Sequence, residues 1–293
     1  MGHDSGGTLA GKTEPVKSLP NGPDLPYTAP MSKSSQTTAS ARPSDEIAAA
    51  LIFLTRLPVR FDGPMPADLH GRALGWYPVV GAGLGLASGA VYAAATLVGL
   101  TSLAAALLAL GFQIAVTGAL HEDGLADVAD GFGGGRDKTS KLAIMRDSRL
   151  GSYGVLALLF SVGLRWSALA ALADPLAVAA ALIGAGALSR AVVPAVYGYL
   201  DPARTDGLAA GLGPPPGTRI AMALALGSCL AGLALGPAAL PALAAAIVAA
   251  LAIAELARAQ VGGHTGDVLG ACQQGVEIIV LLVLATVLPW TLP

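Results

Sequence analysis

The chain has 293 residues, 54% of them hydrophobic and 12% charged, with a formal net charge of −2 and a mean hydropathy of +0.65. A soluble globular domain carries roughly 25% charged residues, so the composition excludes that class and makes a bilayer the expected solvent. The near-neutral balance also excludes a general electrostatic attraction to nucleic acid.

Residues 1–44 are rich in Ser, Thr, Pro, Gly and Lys and lack the apolar core of a secretory signal, which predicts a disordered polar extension ahead of an integral membrane domain over 45–293. The apolar run from Ile47 to Leu57 ends at Arg56 and Pro58 and is too short to cross about 30 Å of hydrocarbon, so it predicts an interfacial or half-inserted helix. Seven runs long enough to cross follow, near 78–98, 100–120, 154–173, 176–199, 219–236, 238–257 and 275–291. The alternating ten-residue segments of a lipid-facing barrel are missing, and the predicted fold class is all-α, a polytopic transmembrane helical bundle. In the first span Gly81, Gly85 and Gly89 recur every four residues and form one stripe, which predicts close approach of another helix. Cys229 and Cys272 lie far apart, one in an apolar run and one beside a polar segment, and read as packing residues.

Of the 17 Lys and Arg residues, 15 fall in the N-terminal region or in loops near 121–153, 200–218 and 258–274, and the opposite loops have none. By the positive-inside rule that side is cytoplasmic, which predicts an integral membrane protein with its polar motifs facing the cytoplasm. The other two, Arg165 and Arg190, fall inside predicted spans, where ionisable groups are costly and face a protein interior or a watery cavity. Both are functional candidates, with a structural ion pair as the plain alternative.

Three segments carry chemistry. In the first, His121 to Gly131, Asp123, Asp127 and Asp130 share a sector of about 60° on one helical face. Carboxylates so crowded repel each other, and a hard divalent cation such as Mg²⁺ or Mn²⁺ resolves the conflict. A solvated helix end is the alternative. In the second, Gly133 to Gly135 precede Arg136, Lys138 and Lys141, and Arg146 and Arg149 flank Asp147 beside Gly151. Arginine there can grip phosphate oxygens bidentately, whereas Arg136, Lys138 and Lys141 need no explanation beyond the positive-inside rule. The third, Gly262 to Gln274, sets His264 and Asp267 among glycines, suited either to orienting a nucleophile or phosphate, or to a tight turn with a helix cap at Asp267. Zinc patterns, a Walker loop, a Rossmann fingerprint and a Ser-His-Asp arrangement are not found, and His3 and His70 belong to no pattern.

Together with Thr55-Arg56-Leu57-Pro58, Trp76-Tyr77-Pro78-Val79-Val80-Gly81, and Gln274 and Glu277 after the third segment, these motifs resemble the cobalamin synthase, or adenosylcobinamide-GDP ribazoletransferase, family over most of the chain after residue 45. Glu122, where that family commonly has an apolar residue, and the polar extension depart from the pattern. The resemblance implies Mg²⁺-dependent transfer of the adenosylcobinamide phosphate moiety of adenosylcobinamide-GDP to α-ribazole or its 5′-phosphate, releasing GMP and forming adenosylcobalamin or its 5′-phosphate. On that reading Asp123, Asp127 and Asp130 are metal ligands and Arg56, Arg146, Arg149, Arg190, Gln274 and Glu277 contact substrate. His121, Asp147, His264 and Asp267 are catalytic, with His264 or His121 as the base. Beyond the substrates and the lipid bilayer, a homo-oligomeric partner and the preferred lower-ligand base are left open.

Two other readings compete. Asp127-Val128-Ala129-Asp130-Gly131 matches the opening of the CDP-alcohol phosphotransferase motif, but the Ala-Arg pair and the two further spaced aspartates of that motif do not follow. A transporter would explain Arg165, Arg190 and Glu255 within or near spans, yet most carboxylates gather at one interface.

Overall fold

The computed structural model describes residues 42–61, 66, 68–205 and 213–288, so the predicted extension lies outside the described residues up to residue 41. Helix already begins at Pro43, inside the range predicted as disordered, because proline suits a first helical turn and the Asp45 carboxylate accepts the Arg42 backbone N–H at 2.9 Å. The helices run in order α1 (Pro43–Leu54), α2 (Leu69–Ala73), α3 (Tyr77–Leu97), α4 (Ser102–Thr117), α5 (Leu120–Gly134), α6 (Lys138–Ile144), α7 (Ser152–Leu172), α8 (Pro175–Tyr199), α9 (Gly217–Leu235), α10 (Ala239–Val261) and α11 (Gly266–Val287). The bundle is all-α, as its composition predicts.

Among the described residues, five stretches are long and apolar enough to cross a bilayer: Leu69–Leu97, Ser152–Leu172, Pro175–Tyr199, Gly217–Val261 and Gly266–Val287. The fourth contains both α9 and α10, parted at Gly236, whose φ of 55° ends the first helix. The predicted spans match helices closely at all but two places. The run near 100–120 stops at Thr117, and α5 leaves at 89° to α4, which makes the pair a sixth, broken span or a re-entrant turn. Gly118 and Ala119 both take left-handed backbone, φ 65° and 58°, a conformation glycine adopts freely and alanine only under strain. The last span starts at Gly266 rather than near 275, because the Thr265 hydroxyl accepts the Val268 N–H at 3.2 Å and caps the helix ahead of Asp267.

Helix α8 is the centre of the bundle, with 78% of its apolar window buried against 28% for α7. Its closest neighbour is α3, and the glycine stripe is the reason. A Cβ at Gly81 would fall 2.1 Å from the Gly186 carbonyl oxygen, and one at Gly85 2.2 Å from that of Leu182, so only glycine lets these backbones touch. Outward-facing Leu103 and Leu107 of α4 and Leu159 and Phe160 of α7 are exposed, as lipid-facing side chains are.

The three basic loops meet at one end. Lys141 at the end of α6 donates to Gln260 of α10, and Pro202 after α8 pairs as an isolated bridge with His264. Arg204 lies 3.7 Å from Asp267. Segments widely separated in sequence thus build one polar face.

Candidate active site

Helix α5 brings the acidic cluster to that face. Its Gly124 lies flush against α11, where a Cβ would come within 2.8 Å of the Asp267 carbonyl oxygen and 3.3 Å of the Gly270 Cα. This contact sets Asp267 beside the α5 carboxylates. Asp123, Asp130 and Asp267 all lie near enough to Asp127 to act on its charge, with Arg204 as the cation among them. Nothing among the described residues donates a hydrogen bond to the side chains of Asp123 or Asp127, which stand one helical turn apart.

Asp130 is hydrogen-bonded where the other two are not. Its two carboxylate oxygens accept the backbone N–H groups of Gly151 at 2.7 Å and Gly154 at 2.9 Å, so it caps the start of α7 and ties the Met145–Gly151 segment to α5. Glycine is required in both places, since a Cβ at Gly151 or Gly154 would strike this carboxylate.

A cavity of about 270 Å³ opens between α1, α3, α5, α8 and α11. His121, Asp123, Asp267 and Arg190 line it, joined by His70, for which no sequence pattern spoke. Ala49, Phe53 and Leu54 of α1 also line it. Helix α1 is fixed there by Glu46, which accepts from Arg72 Nε at 2.7 Å, Trp76 Nε1 at 2.9 Å and both terminal nitrogens of Arg219 at 2.7 and 2.9 Å. Burial alone would raise the Glu46 carboxyl, but the hydrogen bonds from Trp76, Arg72 and Arg219 outweigh it and hold it below its ordinary value.

Under the cavity floor is a closed polar network. Glu277 accepts from Arg190 Nη1 at 3.1 Å, Arg165 Nη1 at 3.4 Å, Gln113 Nε2 at 2.8 Å and Gln273 Nε2 at 2.5 Å. Glu122 accepts from Arg165 Nη2 and Gln274 Nε2, both at 3.1 Å. Two arginines therefore meet two glutamates, and the buried charge is balanced. Arg190 is 1% exposed, yet its Nε has no hydrogen-bond partner among the described residues and the side chain lines the cavity.

Of the remaining sequence candidates, Gln274 and Glu277 lie in this network rather than on the cavity wall. Arg149 turns back on Asp147, with Nη2 to Oδ2 at 2.5 Å, and is 87% exposed. The hydrogen bonds from Arg149 hold the Asp147 carboxyl below the usual range. Arg146 is exposed on the same loop. Arg56 lies across the α4–α5 break, its backbone N–H on Val116 O at 2.7 Å and its Nη2 on Gly118 O at 3.4 Å, where it satisfies carbonyls that the end of α4 leaves open. His264 stands behind Tyr197, ring centroids 4.7 Å apart and nearly perpendicular. Burial pushes its imidazole down, against the opposing pull of Asp201. Its backbone holds the loop after α8, accepting from Ala203 N and donating to Asp201 O, each at 2.9 Å.

Among the described residues no three His, Cys, Asp or Glu side chains converge as a ready-made metal cage. Mg²⁺ commonly takes only one or two carboxylates and fills its other positions with water and substrate phosphate. The open, hydrogen-bond-free oxygens of Asp123 and Asp127 fit that requirement.

The family model for cobalamin-5-phosphate synthase matches residues 46–285. A protein of Bradyrhizobium diazoefficiens named adenosylcobinamide-GDP ribazoletransferase is 51% identical over 237 residues, covering 80% of this chain and 91% of its own length. Proteins of the same name from Mesorhizobium japonicum and a Sinorhizobium species are each 44% identical, covering 83% and 82% of this chain and 94% and 96% of their own. No solved structure matches the chain.

Proposed function

The chain belongs to the cobalamin-5-phosphate synthase family, and we propose that it transfers the adenosylcobinamide phosphate moiety of adenosylcobinamide-GDP to α-ribazole or its 5′-phosphate, the last stage of nucleotide loop assembly. A ribose hydroxyl of the acceptor bonds to the phosphorus attached to cobinamide. The P–O bond on the far side breaks, and GMP leaves with the electron pair.

The observation that carries this reading is the meeting of Asp123, Asp267, His121 and Arg190 on one cavity at the basic end of the bundle. Arg190, which lines the cavity, donates from its guanidinium to a phosphate oxygen, while Glu277 holds its Nη1 in place. His121, in the cavity wall, accepts the proton of the attacking hydroxyl. Asp123 and Asp127, with Asp267 from α11, would hold a Mg²⁺ ion, which supplies charge neutralisation for the diphosphate when bound. Asp130, Gln274 and Glu277 are positioning residues, Asp130 through the start of α7 and the other two through Arg165 and Arg190. Arg146 and Arg149 receive substrate phosphate from the loop side, and Asp147 keeps Arg149 folded back until it does. The basic end faces the cytoplasm of a bacterial inner membrane.

The test is a conversion assay on the full-length protein in lipid, supplied with adenosylcobinamide-GDP, α-ribazole 5′-phosphate and Mg²⁺. Cobalamin 5′-phosphate and GMP should appear in equal amounts and both should cease on chelation. GMP release without a corrinoid product, or no product at all, sinks the proposal.

A further inference from the structure

The cavity is lined by both polar and apolar side chains, and the proposed reaction uses only the polar ones. Beside His121, Asp123, Arg190 and Asp267, its lining includes an apolar set, Phe53 and Leu54 of α1, Leu74, Tyr77 and Val193, together with His70. The rings of Phe53 and Tyr77 stack on each other at 5.9 Å with an interplanar angle of 15°, which concentrates aromatic carbon in this part of the lining. The anchoring of Glu46 by Arg72, Trp76 and Arg219 holds this wall in place before any ligand arrives.

We infer that the apolar part of the cavity lining, Phe53, Leu54 and Tyr77, holds the aromatic base of the nucleoside acceptor, leaving its ribose against Asp123 and Arg190, and that α1 thereby selects which bases are accepted. This rests on the transfer reaction proposed above. Size supports it: about 270 Å³ is just below the usual range of small-molecule pockets, room for a nucleoside and far too small for a corrin ring. Chemistry then separates the two nucleosides of the reaction. A dimethylbenzimidazole base is flat and apolar, with one free ring nitrogen and no donor. Guanine carries several donors and acceptors on its edges; His70 and the Tyr77 hydroxyl could meet some of them, and the rest would be buried without a partner against Phe53, Leu54, Leu74 and Val193. Of the hydroxyls nearby, that of Tyr197 is already committed to the Gly213 carbonyl at 2.7 Å.

The experiment needs no variant to begin. In the wild-type protein, free 5,6-dimethylbenzimidazole should inhibit conversion competitively against α-ribazole and non-competitively against adenosylcobinamide-GDP, while guanosine should not compete with α-ribazole. Phe53, which is 41% exposed, can then be shortened with little risk to the fold. Phe53→Ala should raise KM for α-ribazole about tenfold, from the loss of one aromatic contact, and leave KM for adenosylcobinamide-GDP within about twofold. It should also narrow the preference for dimethylbenzimidazole riboside over unsubstituted benzimidazole riboside. Competition by guanosine against α-ribazole, or a Phe53→Ala effect confined to KM for adenosylcobinamide-GDP, would place the leaving nucleoside here and overturn the inference while conversion itself stands. Absence of conversion in the wild type would instead defeat the functional reading on which it rests.

Discussion

Arg165 and Arg190 show what allows an ionisable side chain to persist inside an apolar bundle. Each is essentially fully buried, and each ends on a carboxylate, Arg165 on Glu122 and Glu277, Arg190 on Glu277. Breaking one partner of such a group leaves an uncompensated charge and costs about 3–5 kcal/mol, whereas replacing both by apolar residues is often neutral. Arg165→Met alone should therefore lower the thermal midpoint of the detergent-solubilised protein strongly, and the double change with Glu122→Leu should regain most of it. Additive losses would show that the two residues act separately. Asp127 calls for the opposite kind of test, because its side chain holds nothing together. Asp127→Asn should keep the thermal midpoint within about 1 kcal/mol of wild type while reducing turnover at least a hundredfold at any Mg²⁺ concentration. Wild-type turnover across a Mg²⁺ titration would remove it from the ligand set. The carboxylates could be picked out in the sequence because one helical face displays them together. Glu122 could not, since its partners come from 43 and 152 residues away, and a lone acid after His121 looks like a departure until the fold supplies Arg165 and Gln274.

Among the elements, the spans were readable because a run of some 20 apolar residues has one physical solution in a bilayer. The stripe of Gly81, Gly85 and Gly89 likewise named the surface that meets α8, though which helix it meets depends on the whole bundle. What periodicity could not show is the turn at Gly118 and Ala119, where apolar character continues but the backbone changes hand. That turn decides the site, because it swings the acidic face of α5 against α11 and α7. Asp130 illustrates the consequence: it shares the face of Asp123 and Asp127 in sequence, yet in the fold it reaches two N–H groups of α7. Asp130→Asn separates capping from metal binding, because the amide keeps one oxygen to accept an N–H but loses the charge. The expected result is a stability loss of about 0.5–2 kcal/mol with the Mg²⁺ dependence of turnover unchanged. A marked rise in the Mg²⁺ concentration needed for half-maximal rate would return Asp130 to the ligands.

At the scale of the whole molecule, the basic loops are neighbours in space, so the charge asymmetry describes one face rather than three separate loops. Lys141 meets Gln260, and Arg204 meets Asp267 at that face. The other end carries exposed Leu97, Val98, Leu176, Leu233 and Leu240 and no basic residue among those described. A bundle of this kind should insert with Thr205, Gly135 and Gly262 in the cytoplasm and Asp174 outside. Because the cavity lies among His121, Asp123 and Asp267, orientation also fixes which compartment delivers substrate. Fusions to a reporter that matures only in the cytoplasm should give signal at Thr205 and Gly262 and none at Asp174, while a reporter active only outside should do the reverse. The stitching of His264 to Asp201 and Ala203 adds a constraint, since Thr205 and Gly262 flank paired strands of backbone and must report alike. Signal at Asp174 from the cytoplasmic reporter, with silence at Thr205, would invert the membrane orientation and move the acidic cluster, and the reaction assigned to it, to the outer side.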